Sequence, residues 1–169
     1  TIAGEVKNFD PCDFMDRREA KRMARFAQFA VAATRMAIES ARLDLSQEDP
    51  ERLGVFFGNG GVGGLPETEA ESRVLFTKGP KRISAYYMAM TLPNMASAEV
   101  SLVFGLKGYT ATAITSCAAG TQAIGEGAEV IRRGQADVII CGGAEAGLTP
   151  LGIGGFCAMR ALTTRNDEP

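Results

Sequence analysis

Apolar residues along the chain recur with changing period, and each change marks an element. From Asp16 to about Ala41, the residues Met23, Phe26, Ala30, Ala33, Ala37 and Ala41 fall three and four apart. Arg18, Lys21, Arg22, Arg25, Gln28, Arg35, Glu39 and Arg42 occupy the other side. This is the period of a helix, and it predicts one long amphipathic helix over 16–41. Asp49 and Pro50 end the pattern. LGVFF at 53–57 is a short apolar run that predicts a buried strand, and it leads into GNGGVGG at 58–64. Residues 65–80 predict a helix and a loop. Residues 88–104 are apolar and helix-compatible, with Pro93 near the start. Gly105 and Gly108 punctuate before TATAIT at 110–115, a second strand. From Ala118 to about Arg133 the pattern is helical again, with Gly134 placed as a C-terminal cap. DVIICGG at 137–143 is a third, apolar strand. Residues 1–15 predict an irregular lead-in.

Strands alternating with helices argue an α/β fold. Strands without polar alternation need helices on both faces of their sheet. The length of 169 residues suffices for one domain with its own core, and 46% hydrophobic residues exclude a disordered chain. A formal net charge of -2 gives no case for nucleic-acid binding. No uninterrupted apolar run is long enough for a membrane span. The first residues, TIAGE, lack the basic-then-apolar order of a signal peptide, and they include no initiator methionine.

The cysteines are Cys12, Cys117, Cys141 and Cys157, with no CxxC pair and no histidine in the chain. That disfavours a zinc site, and neither a metal nor a cofactor is expected. Widely spaced cysteines in so apolar a chain fit the reducing cytoplasm, the expected location. Cys141 and Cys157 read as small buried hydrophobes. The glycine cluster at 58–64 lacks GxxxxGK[ST], and its spacing is wrong for the dinucleotide fingerprint. Its glycines are expected to let backbone pass close to other backbone. Positive charge crowded into the first turns of the 16–41 helix opposes the helix dipole and points to an external anionic partner.

The stretch with chemical content is ITSCAAGTQAIG at 114–125. A strand ends, Cys117 follows at the first turn of a helix, and Ala118, Ala119 and Gly120 leave room beside it. Unpaired N–H groups at a helix start stabilise a thiolate and a tetrahedral oxyanion. On the residues alone, two readings stand: a catalytic nucleophile, or a structural cysteine at a tight turn. A nucleophile usually needs a base, and without histidine that base comes from outside these residues or the helix start acts alone.

The segment 115–125 resembles the active-site segment of β-ketoacyl-[acyl carrier protein] synthases, nearest the elongating synthase II type. RRGQADVIICGGAE at 132–145, TPLGIGGF at 149–156, RALTTRND at 160–167, DRREAKRM at 16–23 and PNM at 93–95 extend the resemblance over the whole chain. It implies a thiolase-like fold of layered α-β-α-β-α form, of which mainly the N-terminal half is present. Residues 1–169 are then a partial catalytic-cysteine domain with the start of the crossing into the C-terminal half. The resemblance places further chain before Thr1 and a long stretch after Pro169, the latter holding two catalytic histidines, a lysine and a gating phenylalanine. It implies a homodimer in which the strand 110–115 pairs with its two-fold mate.

The implied reaction is decarboxylative condensation of a cysteine-bound acyl chain with malonyl-acyl carrier protein, on acyl and malonyl thioester substrates. Cys117 matches the nucleophile. Tyr86 and Tyr87 match an aromatic pair bordering the acyl pocket, Met88 and Met90 adjoin them, and Phe156 matches another pocket-side aromatic. Core packing is the competing role for all five. Family members often carry phenylalanine where this chain has tyrosine, and a phenol in an apolar tunnel needs a partner. Arg18, Lys21, Arg22 and Arg165 match basic contacts for the acidic acyl carrier protein; the competing role is a solvated surface. Glu145 matches a network-forming position rather than an acid or base. The alternatives are a polyketide-type ketosynthase with the same chemistry, a thiolase, and a non-catalytic interaction subunit or fragment.

Overall fold

The central strand is β1, Leu53–Gly58, in which every residue is buried. The computed structural model describes residues 3–167; Thr1 and Ile2 of the lead-in, with Glu168 and Pro169, lie outside the described residues. β1 pairs in parallel with β2, Thr110–Ala113, on one side and with β3, Val138–Gly143, on the other. Phe57 stands opposite Thr112 in one register and Gly142 in the other. β2 stops at Ala113, two residues short of the sequence expectation.

Alternation along β1 sends Leu53, Val55 and Phe57 into one core and Phe56 into another. The first core lies under α2, Arg25–Ala41, and α5, Met95–Phe104. The second lies under α6, Ala119–Arg132. This is the α-β-α half that the resemblance implied. Phe26, Val31, Val55 and Val100 are all but fully buried. Each such side chain contributes about 1.5–3 kcal/mol relative to exposure. Ser97 ties α5 to the sheet: its hydroxyl accepts the Phe57 N–H at 3.2 Å and donates to the Ala111 carbonyl at 2.7 Å. β2 and β3 each leave one edge without a strand partner among the described residues. No helix of the described residues is long and apolar enough to cross a membrane.

The helix expected over 16–41 is broken. Asp16 caps a short α1, Arg17–Ala20, by accepting the Arg18 N–H at 2.7 Å. Ala24 is extended, with φ -66 and ψ 156, and α2 restarts at Arg25. The Gln28 side-chain amide donates to the carbonyls of Ala20 at 2.8 Å and Met23 at 3.3 Å, replacing helical bonds lost at the break. No side chain at the Ala24 cap closes α2; Glu67, from the neighbouring helix, accepts the Arg25 N–H at 3.3 Å. Most of the crowded positive charge therefore sits on α1 and the turn after it, not on the long helix. The buried stripe of α2 runs through Phe26, Ala27, Ala30, Val31 and Thr34, while Ala33, Ala37 and Ala41 face solvent. No residue of α2 after Thr34 is buried, so its last turns extend past the core.

Candidate active site

Three loops meet at the C-terminal ends of the three parallel strands, the place where open α/β sheets bind ligands. They are the glycine loop after β1, the turn after β2, and residues 144–148 after β3. Asn59, buried at 1% exposure, joins them. Its N–H donates to the Ala113 carbonyl at 2.9 Å, its side-chain amide to the Ala144 carbonyl at 3.0 Å, and its Oδ1 accepts the Gly61 N–H at 2.7 Å.

The turn after β2 carries Cys117. Thr115 has φ -128 and ψ 42, and Ser116 has a left-handed φ of 51. A non-glycine residue there costs about 1–2 kcal/mol, and such strain concentrates at functional sites. Residues Ser116–Ala118 form one tight helical turn that runs directly into α6, and no side chain caps either start. The Thr115 hydroxyl donates to Gln122 Oε1 at 2.7 Å, bracing the turn against α6. The start of α6 presses onto the sheet. A Cβ on Gly58 would collide with the Ala119 carbonyl, and one on Gly143 would lie 3.1 Å from the Gly120 Cα. The expectation that glycine in 58–64 permits close backbone contact holds at Gly58.

Cys117 is exposed and lines a cavity of about 970 Å³. Val62, Phe29, Ile153 and Phe156 supply apolar wall; Glu5, Arg25 and Glu145 supply charge. Glu145 Oε2 accepts the Gly60 N–H at 2.9 Å and Oε1 accepts the Ala146 N–H at 3.2 Å, so the carboxylate staples two of the three loops together. The Arg25 guanidinium lies 4.8 Å from the Phe29 ring centre and 5.6 Å from that of Phe9, and it donates to the Val6 carbonyl at 2.9 Å.

Phe156, on α7 (Pro150–Ala158), thus shares the cavity of Cys117. Tyr86, Tyr87, Met88 and Met90 do not line it. Tyr87, Met88 and Met90 lie on the short α4, Tyr87–Thr91, with Tyr86 as its N-cap, beside α3, Leu65–Lys78. Met90 packs on the first core, Met88 is exposed, and Tyr86 lies 5.3 Å under the Arg22 guanidinium. Arg18, Lys21 and Arg22 are exposed on α1 and its following turn; Arg165 is exposed in the segment after α7. Cys141 is half-buried in β3, and burial pushes its thiol up to about 11. Cys157 is exposed rather than buried, because α7 turns no residue into a core. Sequence reasoning missed Val62, Phe29, Arg25 and Ile153 as cavity residues. Val62 had a signal, since it stands among glycines directly after a buried strand.

The whole chain, residues 1–169, matches the β-ketoacyl synthase N-terminal domain. It is 43% identical over 166 residues to 3-oxoacyl-[acyl-carrier-protein] synthase 2 of Staphylococcus aureus, covering 98% of this chain and 41% of that protein. It is 45% identical over 168 residues to the synthase 2 of Synechocystis sp., covering 99% of this chain and 40% of that protein. The chain therefore spans about 40% of the length of these relatives. Among solved structures, a type II PKS acyl-carrier protein in complex with its ketosynthase bound to the hexaketide aligns with a TM-score of 0.83 at 32% identity, over 89% of this chain and 43% of that one. A β-ketoacyl synthase from Burkholderia phymatum aligns with a TM-score of 0.78 at 30% identity, over 96% and 40%. The strained cysteine turn, the parallel sheet beneath it and these matches along its whole length make the chain a member of the β-ketoacyl synthase family, within its N-terminal domain.

Proposed function

We propose that the protein to which this chain belongs is an acyltransferase that elongates fatty acyl chains by decarboxylative Claisen condensation, with Cys117 as nucleophile. The observation that carries this is the exposed Cys117 on a strained turn at an uncapped helix start, opening into the cavity at the strand ends. The Cys117 thiolate attacks the carbonyl of an acyl thioester on the carrier protein. As the new carbon–sulfur bond forms, the old one breaks and the carrier thiolate leaves and takes a proton. Malonyl carrier then loses carbon dioxide, the electrons of the broken carbon–carbon bond remaining as an enolate. The enolate carbon attacks the Cys117 thioester, and Cys117 leaves as thiolate. Splitting the reaction at a covalent acyl-enzyme replaces one hard step by two easier ones. Donors at the helix start offset charge on the tetrahedral oxygen. The histidines that assist decarboxylation belong to the protein beyond this chain, which has none.

In this reading residues 1–169 are the catalytic-cysteine portion, and α7 begins the crossing to the second half. Phe156 and Val62 flank the acyl chain. Tyr86, Tyr87, Met88 and Met90 serve it where the chain reaches beyond this cavity to α4. Arg18, Lys21, Arg22 and Arg165 receive the acidic carrier, and the open edge of β2 pairs with a second copy. The test is condensation by the full-length protein from acyl and malonyl carrier substrates, followed by carbon dioxide release. The reading expects product, and none after Cys117→Ala; turnover by that variant overturns it. The 0.83 alignment with a polyketide ketosynthase supports a second reading, the same chemistry on a polyketide chain. Repeated extension without intervening reduction separates the two.

A further inference from the structure

α7 reaches the cavity through Ile153 and Phe156, yet little in the helix itself accounts for its position. It has nine residues, none of them buried, and Gly152, Gly154 and Gly155 are among them. Glycine disfavours helix, and helices this short do not stand alone. The hold is polar and lies at one end. Thr149, at 7% exposure, caps the helix by accepting the Gly152 N–H at 3.0 Å. The Glu69 carboxyl of α3 lies beside the Thr149 hydroxyl, which helps hold it low, and Glu69 Oε1 accepts the Leu151 N–H at 2.6 Å. The Glu69 side chain is 13% exposed, with Arg73 3.7 Å away. A Cβ on Gly152 would collide with the Gly147 carbonyl and lie 3.1 Å from Leu65 Cδ2, so α7 meets α3 closely at this point.

We propose that Glu69 is a positioning residue for the acyl-binding wall: its carboxylate holds the start of α7 on α3 and thereby sets Phe156 and Ile153 against the cavity of Cys117. A carboxylate at a helix start gains from the dipole, and its bonds to N–H and O–H groups are charge-assisted. The Thr149 hydroxyl and the Leu151 N–H hold the Glu69 carboxyl below its usual range, so the clamp is charged at neutral pH. Removing it frees one end of a helix that has no buried residue to keep it in register. The wall then shifts for long acyl chains, which touch it, and not for acetyl, which ends near the sulfur.

This rests on the condensation reading, and its test has an arm that does not. In the full-length protein, Glu69→Ala is expected to raise KM for a long acyl thioester about tenfold with kcat nearly kept, and to leave acetyl transfer to Cys117 unchanged. Glu69→Gln keeps an acceptor for the Leu151 N–H and is expected to restore most of the loss. Glu69→Asp, which keeps the charge but shortens its reach, is expected to give part of the Glu69→Ala loss and stands in for it if that variant does not fold. Hydrogen exchange of residues 151–158, read without any substrate, is expected to quicken in Glu69→Ala and less in Glu69→Gln. Unchanged exchange overturns the clamp whatever the protein catalyses. Quickened exchange with equal losses for acetyl and long chains overturns the positioning role. Absent acyl transfer in the unmodified protein overturns the condensation reading alone, and the exchange result then decides the clamp.

Discussion

Cys117 and Cys141 stand on consecutive parts of one sheet-and-helix unit, and their surroundings are opposite. Cys141 lies inside β3, half-buried against Gly127 of α6, and burial pushes its thiol up to about 11. Cys117 lies past the end of β2, exposed, behind a residue with left-handed φ. The regular strand takes a thiol partly out of water and so disfavours its thiolate. The strained turn puts one into a cavity at a helix start that no side chain caps. The difference in surroundings follows from where the regular elements end, not from the residue type.

Exchanging the roles is the strongest way to break this contrast. Cys117→Ala is expected to abolish acyl-enzyme formation while changing stability by no more than about 0.5 kcal/mol, as for an exposed site. Cys141→Ala is expected to keep activity and lose about 1 kcal/mol. Thermal melts beside turnover assays check both; a Cys141→Ala variant that is stable but inactive contradicts the contrast. Next in size is Gly58→Ala. Its Cβ meets the Ala119 backbone, which has no flexible end to yield. Overpacking of this kind costs about 1–3 kcal/mol and lifts the cysteine turn off the sheet, so acyl transfer should fall with stability. Denaturant unfolding and single-turnover acylation measure the two losses, and full activity in a destabilised variant separates the turn from the sheet.

A smaller effect is expected at the surface. Arg18→Glu with Lys21→Glu replaces attraction for an acidic carrier by repulsion. Association should slow several-fold at low salt and recover as salt rises, while acylation from a carrier-free thioester is unchanged. Equal binding at low salt returns these residues to a solvated face. A further effect concerns Cys141 and pH. Its thiol titrates near 11 in the folded protein against an ordinary 9. The unfolded chain therefore releases the proton first. Stability from this group is full below about pH 9 and declines as pH rises toward 11. Melts of the parent and Cys141→Ala should draw together across that window and reverse in order toward its alkaline end, because only the parent carries the thiol.

The β1 run, the cysteine turn, α6 and its Gly134 cap were legible because each depends on local pattern: an apolar run, a small-residue cluster, a glycine at positive φ. The break at 21–24 was not, because Gln28 restores the lost carbonyl partners from within an otherwise helical sequence. The exposure of Ala33, Ala37 and Ala41 was hidden too, since alanine fits either face and only the extent of the core decides. Cys157 looked buried because its neighbours are apolar, yet α7 is held by its polar end. Residues 86–90 are legible as apolar, but whether they meet an acyl chain depends on tertiary position, and the structure puts them beside α3 rather than at Cys117.

The central claim is that Cys117 takes the acyl chain. Its direct test is to mix the full-length protein with acyl carrier substrate in the absence of malonyl substrate, quench, digest, and locate the acyl mass by tandem mass spectrometry. The account predicts a hydroxylamine-labile acyl group on the Cys117 peptide, absent from Cys12, Cys141 and Cys157. An acyl group on any of those three in place of Cys117, or condensation with no acyl group on Cys117, would contradict it.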